Sequence, residues 1–196
     1  MKNMAYFKAL IMTLICTSVD GRPNGAVVPT ACQNMLPSHG GVAAQGTAAP
    51  YQITLNNNTY YGGDRIRVTI ENTTSALFKG YFIQARDSSG AILGGFDISG
   101  QSNSQFRTCS SSNDAVTHTE STDKSMVTFE FNAPRTSRGN ITIYTTIVQS
   151  FSTFWVMIPS EIITDMAPTD TSASAVLLPS IIAMLMPIAS VFMFMQ

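Results

Sequence analysis

One stretch carries aromatic and branched side chains on both faces of an extended chain: residues 78–86, FKGYFIQAR. Residues of these types favour β-strands. Successive side chains of a strand alternate, so Phe82 points to one side and Tyr81 and Ile83 to the other. Bulk on both sides predicts a central strand that other parts of the protein cover on each face. Turn residues at 87–90 end this strand.

Short alternating segments separated by turn residues flank this strand. Residues 65–71 alternate most clearly, with Ile66, Val68 and Ile70 on one face and polar side chains on the other. About eight or nine such strands, with no helical period before residue 170, predict an all-β fold: an antiparallel two-sheet sandwich, with a closed barrel as the alternative. The other predicted strands are residues 51–55, 91–96, 106–109, 115–119, 126–131, 141–148 and 154–158.

Glycine and proline mark the irregular parts of this pattern. Residues 22–50 are rich in Gly, Pro and Ala without any period, which predicts irregular or extended chain. Gly94 and Gly95 interrupt the segment 91–96 and predict a bulge or a close approach of two backbones. The last strand is expected to end before Pro159.

The N-terminus has the features of a secretion signal. Lys2 and Lys8 flank the start, residues 9–16 are an apolar run too short to span a bilayer, and small or polar residues follow. We therefore expect residues 1–20 to be a signal peptide; a buried N-terminal strand is the alternative.

The C-terminus is predicted to attach the protein to a membrane. Residues 164–174 form a polar stalk, and residues 175–196 are an apolar tail with no basic residue after it. Small residues, a polar spacer and a terminal apolar tail are typical of a glycolipid-anchor signal. Attachment is expected between Ala167 and Ser174, with Ser172 as the chosen residue. A retained single span is the alternative.

The signal peptide sets how the cysteines and asparagines are interpreted. Cys16 leaves with the signal, so Cys32 and Cys109 remain and are most simply one disulfide; two free thiols or a metal pair are the alternatives. N-x-Ser/Thr acceptors at Asn57, Asn72 and Asn140 are predicted N-glycosylation sites, because the signal directs the chain into the secretory pathway.

Charge and side-chain chemistry exclude several function classes. The net charge of −1 gives no basic footprint for nucleic acid. The two histidines, His39 and His118, would form a metal or acid–base site only by converging with carboxylates such as Asp64 or Glu120; we expect instead a turn position and a strand surface. No nucleophile-elbow motif is present. We therefore predict no catalytic residues, no metal and no cofactor.

Other candidate side chains have structural interpretations. Lys79 and Arg86 flank the central strand and are expected to be solvated or paired, although they are also candidates for binding an anion. The large aromatic side chains are expected in the core rather than on a ligand platform. These are Tyr81, Phe82, Phe129, Phe131 and Trp155.

Residues 32–158 resemble a reeler (reelin N-terminal-like) domain through an ordered set of motifs. Phe131 departs from the family pattern, which usually has Trp before the Ala-Pro pair. The motifs are CQNMLPSHG at 32–40, PY at 50–51, YGGD at 61–64, FKGYFIQAR at 78–86, GF at 95–96, Cys109, THT at 117–119, Lys124, AP at 133–134, Gly139 and FW at 154–155.

The resemblance implies an immunoglobulin-like β-sandwich with a Cys32–Cys109 bridge, and a domain extending over residues 21–163. Similar domains occur in reelin, F-spondin, ferric-chelate reductase-like membrane proteins and small secreted insect defence proteins. In the reductase-like proteins a separate membrane domain carries the haem. The apolar tail here has no histidine and so lacks axial ligands of that kind.

The resulting hypothesis is an extracellular, surface-tethered binding module that is not an enzyme. Its expected role is innate immune defence or recognition of microbial surfaces, matrix or cell-surface proteins, with the membrane reached through the tail or a lipid anchor. An accessory domain of a ferric-chelate reductase-like membrane system is the alternative, and a purely structural coat component is a third possibility.

Overall fold

The computed structural model describes residues 24–167. The predicted signal peptide, Ser172 and the apolar tail lie outside these residues. Within residues 24–167 no helix has the length and apolar character needed to cross a membrane. The elements are α1 Thr30–Asn34, β1 Tyr51–Leu55, β2 Thr59–Tyr60, β3 Arg65–Asn72, β4 Gly80–Asp87, β5 Ile92–Leu93, β6 Phe96–Asp97, β7 Ser104–Arg107, β8 Ala115–His118, β9 Met126–Asn132, β10 Ile141–Ser150 and β11 Thr153–Asp165.

The strands form two separate sheets, which confirms the all-β sandwich and makes the closed-barrel alternative wrong. The smaller sheet has the order β1-β3-β9-β6, and the larger has β2-β11-β10-β4-β8-β7 with β5 paired to β4. All pairs are antiparallel except β2 with β11, which run parallel. The helix α1 lies in the region predicted to be irregular.

The main core lies between the sheets and follows the predicted alternation. Ile66, Val68 and Ile70 of β3 are fully buried in it, facing side chains of β4 and β10 from the larger sheet. The expected core aromatics are buried, and the Tyr81 and Phe129 rings meet edge to face at 5.6 Å between centroids. Burial of these rings supplies much of the hydrophobic stabilisation.

Strand β4 is covered on both faces, as its sequence predicts. Tyr81 and Ile83 belong to the main core, whereas Phe82 belongs to a second apolar cluster on the outer face of the larger sheet. That second cluster also contains Ala31 and Met35 from the N-terminal part of the chain. The residues that cover the outer face of β4 therefore come from the part of the chain before the first strand.

The predicted strand 91–96 is divided at Gly94 and Gly95. Its first half, β5, pairs with β4 in the larger sheet, and its second half, β6, pairs with β9 in the smaller sheet. Gly95 has φ +134°, and a Cβ there would lie 2.4 Å from the Asn132 carbonyl oxygen. The close backbone approach predicted from the glycines is therefore present, and only glycine fits it.

Strand β11 continues past Pro159 to Asp165, so the expected end before Pro159 was wrong. A register shift in the β10–β11 pairing accommodates the proline, which lacks an N–H. Parallel pairing with β2 extends the strand, and the Tyr60 hydroxyl donates to the Asp165 carboxylate over 2.8 Å. Burial raises the pKa of Asp165, but hydrogen bonds from Ser137, Ala167, Tyr60 and Gly139 outweigh it and hold the pKa at about 2.

Candidate functional site

Residues 24–42, here called the N-terminal cover, pack on the outer face of the larger sheet. Ala31 and Met35 face Phe82 of β4 and Ala115 of β8, and all four side chains are buried. Besides the hydrogen bonds of α1 and of its turns, the cover is held by apolar contacts with the sheet. Its position creates a second hydrophobic layer outside the sandwich.

The disulfide between Cys32 and Cys109 fixes α1 to the loop between β7 and β8. Two polar side chains of β4 reinforce it: Gln84 donates to the Cys32 carbonyl over 3.1 Å, and Arg86 donates to the Cys32 and Gln33 carbonyls over 3.0 and 2.9 Å. Arg86, expected to be solvated or paired, is hydrogen-bonded to these carbonyls.

Hydrogen bonds to the larger sheet hold the cover at its start and just after α1. At its start, Arg107 donates to the Asn24 and Ala26 carbonyls over 2.7 and 3.0 Å, and the Ala26 N–H donates to the Thr117 hydroxyl over 3.1 Å. After α1, the buried Thr146 hydroxyl donates to the Met35 carbonyl over 2.8 Å. The cover is therefore built into the domain at several points.

A pocket of about 90 Å³ lies between the cover and the larger sheet. Both histidines of the chain line it, which sequence reasoning did not anticipate. We call it the histidine pocket; its walls include His39, His118, Met35, Phe82, Val148 and Phe151. Sequence reasoning also missed Val148 and Phe151 as site residues; the one available signal was the bulk on both faces of β4.

His39 lies in a turn, as expected, but is only 8% exposed. Its ring stacks on Phe151 at 4.8 Å between centroids and meets Phe154 edge-on at 5.1 Å. Its Nδ1 atom is buried without a hydrogen-bond partner among the described residues. Burial lowers the pKa of His39, and a backbone hydrogen bond with Phe151 offsets only part of this effect.

His118 is buried at the end of β8, so the expectation of a strand surface was wrong. The Tyr81 N–H donates to His118 Nδ1 over 3.1 Å, and the two rings lie 5.7 Å apart. The imidazole occupies the space above Gly80, where a side chain would otherwise be. The absence of a Cβ at Gly80 therefore positions this histidine beside the pocket.

We expect Gly80→Ala to lower the free energy of unfolding by about 1–3 kcal/mol, because it overpacks a filled space. The new Cβ would lie 2.6 Å from His118 Cε1 and 2.9 Å from Nε2, and the hydrogen-bonded ring is buried. Urea denaturation measures the change. Gly46→Ala is the matched control, since no atom lies within 4 Å of its Cβ position. Equal midpoints for both variants would contradict the packing role.

Acidification should destabilise the folded protein through His39. Because burial lowers the pKa of His39, the unfolded imidazole binds a proton below about pH 6.5 while the folded one resists it. Stability is therefore lost as the pH falls below 6.5 towards the folded-state pKa. His39→Phe keeps an aromatic ring but cannot titrate, so its unfolding free energy should fall less between pH 7 and pH 5. Parallel losses in the two proteins would disprove this assignment.

Charged side chains contribute little to the pocket. Lys79, at its edge, pairs with Asp123 over 3.1 Å, and both side chains are about half exposed. The carboxylates considered from the sequence, Asp64 and Glu120, do not line it. Within residues 24–167 no group of three His, Cys, Asp or Glu side chains is placed to hold a metal ion.

The three glycosylation acceptors lie apart from the pocket. Asn57 and Asn140 are exposed, and Asn72, the last residue of β3, is partly buried. The Asn57 side-chain oxygen accepts hydrogen bonds from the Thr59 N–H and hydroxyl, and the Asn140 oxygen accepts one from the Asp165 N–H. In each case the bonded atom is the oxygen, not the amide nitrogen that would carry a glycan. Glycosylation of all three remains a prediction.

Comparison with known proteins extends this description. A family model described as Reeler domain matches residues 30–171. Putative defense protein 3 of Antheraea mylitta is 37% identical over 161 residues, covering 82% of this chain and 95% of that protein. Ferric-chelate reductase 1 of Mus musculus is 34% identical over 175 residues, covering 87% of this chain but 28% of that protein. The chain thus spans about a quarter of the length of the reductase relatives.

Solved structures show the same fold. The crystal structure of the human F-spondin reeler domain superimposes with a TM-score of 0.54 at 17% identity, covering 63% of this chain and 94% of that one. A second structure, of the Reelin-N domain of F-spondin, has a TM-score of 0.55 over 69% of this chain. The region shared with the reductases includes this sandwich.

Proposed function

Because this chain belongs to the Reeler domain family, we propose that it is an extracellular binding module, tethered to the cell surface, that recognises microbial surfaces or matrix components in innate defence. One observation carries the proposal: a relative named Putative defense protein 3 aligns with this chain over 95% of its own length. A protein of that name therefore consists of little more than this domain. Binding, rather than chemistry, is the activity that a stand-alone sandwich of this kind supplies.

The extracellular address rests on several features of the chain. A disulfide is typical of an oxidising compartment, and Cys32–Cys109 joins distant parts of the domain. The exposed Asn57 and Asn140 are accessible to glycosylation. The predicted signal peptide and the tail with Ser172 as attachment residue complete the proposed route to a glycolipid anchor.

Phospholipase release tests the anchor. The protein would carry a tag inserted after residue 21, just past the predicted signal peptide, and would be expressed on intact cells and treated with phosphatidylinositol-specific phospholipase C. We expect the protein to be released into the medium. Glycosidase treatment should then lower its apparent mass, and this decrease should be smaller in Asn57→Gln and in Asn140→Gln. Protein that stays with the membranes after treatment would contradict the lipid anchor and favour a retained span.

A pull-down tests recognition. The released protein would be incubated with whole bacteria, isolated cell-wall polymers and matrix components, and the bound fraction compared with that of an unrelated anchored protein of similar size. Saturable retention on one of these surfaces is expected. Failure to bind all of them would contradict the recognition role while leaving the extracellular address intact.

The second candidate function is an accessory domain of a ferric-chelate reductase system. It is favoured by the 34% identity with Ferric-chelate reductase 1 of Mus musculus. Because the chain matches 28% of that protein, activity would have to reside in a partner. Co-purification with a haem protein, and faster ferric reduction by membranes when the chain is co-expressed, would support this candidate. Unchanged reduction and no associated haem absorbance would exclude it.

A further inference from the structure

We propose that the histidine pocket binds a small, uncharged and mainly apolar molecule, such as an aromatic ring with one hydroxyl substituent. This binding is separate from the recognition of microbial or matrix surfaces proposed above, and the proposal does not depend on that recognition. Its first support is size. A volume of about 90 Å³ has room for roughly six to nine water-sized groups, which matches a single substituted ring.

The walls have the composition of a small-molecule site. Phe82 on the sheet side and Phe151 at the far edge supply aromatic surface, and Met35 and Val148 supply aliphatic surface. Ligand pockets are usually apolar with a few polar groups that fix orientation. Here Ser150 and the His39 imidazole are such groups.

The charge of the walls selects against ions. Lys79 is the one formally charged side chain among the lining residues, and its ammonium group already pairs with Asp123. Burial lowers the pKa of the His39 imidazole and so favours its neutral form at pH 7. A charged ligand would lose its hydration without gaining a free counter-charge, which is costly in an apolar site.

The pocket is preformed rather than dependent on a mobile flap. Its cover side is held by the Cys32–Cys109 bond and by the buried hydrogen bond from Thr146 to the Met35 carbonyl. A Cβ at Gly25, whose φ is +79°, would lie 2.5 Å from the His118 carbonyl oxygen, so the cover also sits tightly on β8. A rigid site avoids the entropic penalty of ordering its walls on binding.

The test compares three ligands of similar size: benzyl alcohol, benzoate and benzylamine, which are neutral, anionic and cationic at pH 7. Because the chain has two histidines, their ring proton resonances report directly on the pocket. We expect benzyl alcohol to shift both resonances saturably. Benzoate and benzylamine should bind at least about tenfold more weakly, because their charges are desolvated without a partner.

Two tryptophan variants locate the binding. Ser150 lines the pocket and Ser152, two residues later, is exposed and does not. Ser150→Trp should abolish the histidine resonance shifts caused by benzyl alcohol. Ser152→Trp should bind benzyl alcohol with the affinity of the unmodified protein. If Ser150→Trp does not fold, the titration of the unmodified protein still decides. Equal affinity for the three ligands, histidine resonances that do not move, or equal binding by both variants would overturn the proposal.

Discussion

Replacing Cys32 and Cys109 together by alanine is expected to lower the free energy of unfolding by about 4–5 kcal/mol. The bond joins residues 77 positions apart, so its loss frees a long loop in the unfolded chain. The folded state is also affected, because the bond attaches α1, whose Ala31 lines the histidine pocket, to the loop between β7 and β8. A loss of this size is a large share of a typical domain's stability.

Urea denaturation of the released protein, followed by fluorescence of its single tryptophan, measures this loss. Cys16→Ala is the matched control, because the predicted signal peptide carries that cysteine away. It should leave the transition unchanged. The double variant should also bind benzyl alcohol more weakly, since the cover is then held only by its apolar packing and its hydrogen bonds. A double variant with the midpoint of the unmodified protein would show that the bond adds no stability.

The sandwich was predictable because its signals are local. The alternation of Ile66, Val68 and Ile70 specifies which face of β3 is buried, and no distant residue is needed to infer it. The bulk on both sides of β4 likewise indicated two coverings. The two glycines at 94 and 95 likewise predicted an irregularity in the strand. They did not indicate that the chain passes from one sheet to the other at that point.

The pocket was not predictable because its causes are distant in sequence. The N-terminal cover has no period; Arg107, Thr146 and Cys109 hold it from positions far along the chain. The extension of β11 beyond Pro159 depends in the same way on pairing with β10 and β2. Non-local contacts of this kind override local preferences. For this reason the sequence does not relate the two histidines, which line one pocket in the fold.

A second large effect is expected at Asp114, a carboxylate that the sequence did not single out. It is fully buried in the loop between β7 and β8. Its two oxygens accept hydrogen bonds from the N–H groups of Cys109, Ser110 and Ser111, each over 2.7 Å, and from the Ser110 hydroxyl. The side chain therefore shapes the loop that presents Cys109 to Cys32.

Asp114→Ala should lower the free energy of unfolding by about 3 kcal/mol, because three backbone N–H groups lose a charged acceptor and only part of the loop can rehydrate. The pH dependence gives a second signature. Burial raises the pKa of Asp114, but the hydrogen bonds from Ser111, Cys109 and Ser110 outweigh it and bring the pKa below 3.8. The Asp114 carboxylate therefore stabilises the folded protein fully above about pH 3.8, and this stabilisation is lost as the pH falls through the folded-state pKa.

Urea denaturation at pH 7 and at pH 3 separates this effect from general acid destabilisation. Asp123→Ala is the matched control, because that carboxylate is half exposed and its surface pair with Lys79 is worth at most about 1 kcal/mol. The difference in free energy of unfolding between Asp114→Ala and the unmodified protein should be smaller at pH 3 than at pH 7. It should also narrow in the protein lacking Cys32 and Cys109, because the loop then no longer has to present a bonded cysteine. The contrary result is that Asp114→Ala lowers the free energy of unfolding equally at both pH values and equally with and without the disulfide. That result would mean that Asp114 does not stabilise the protein through this loop.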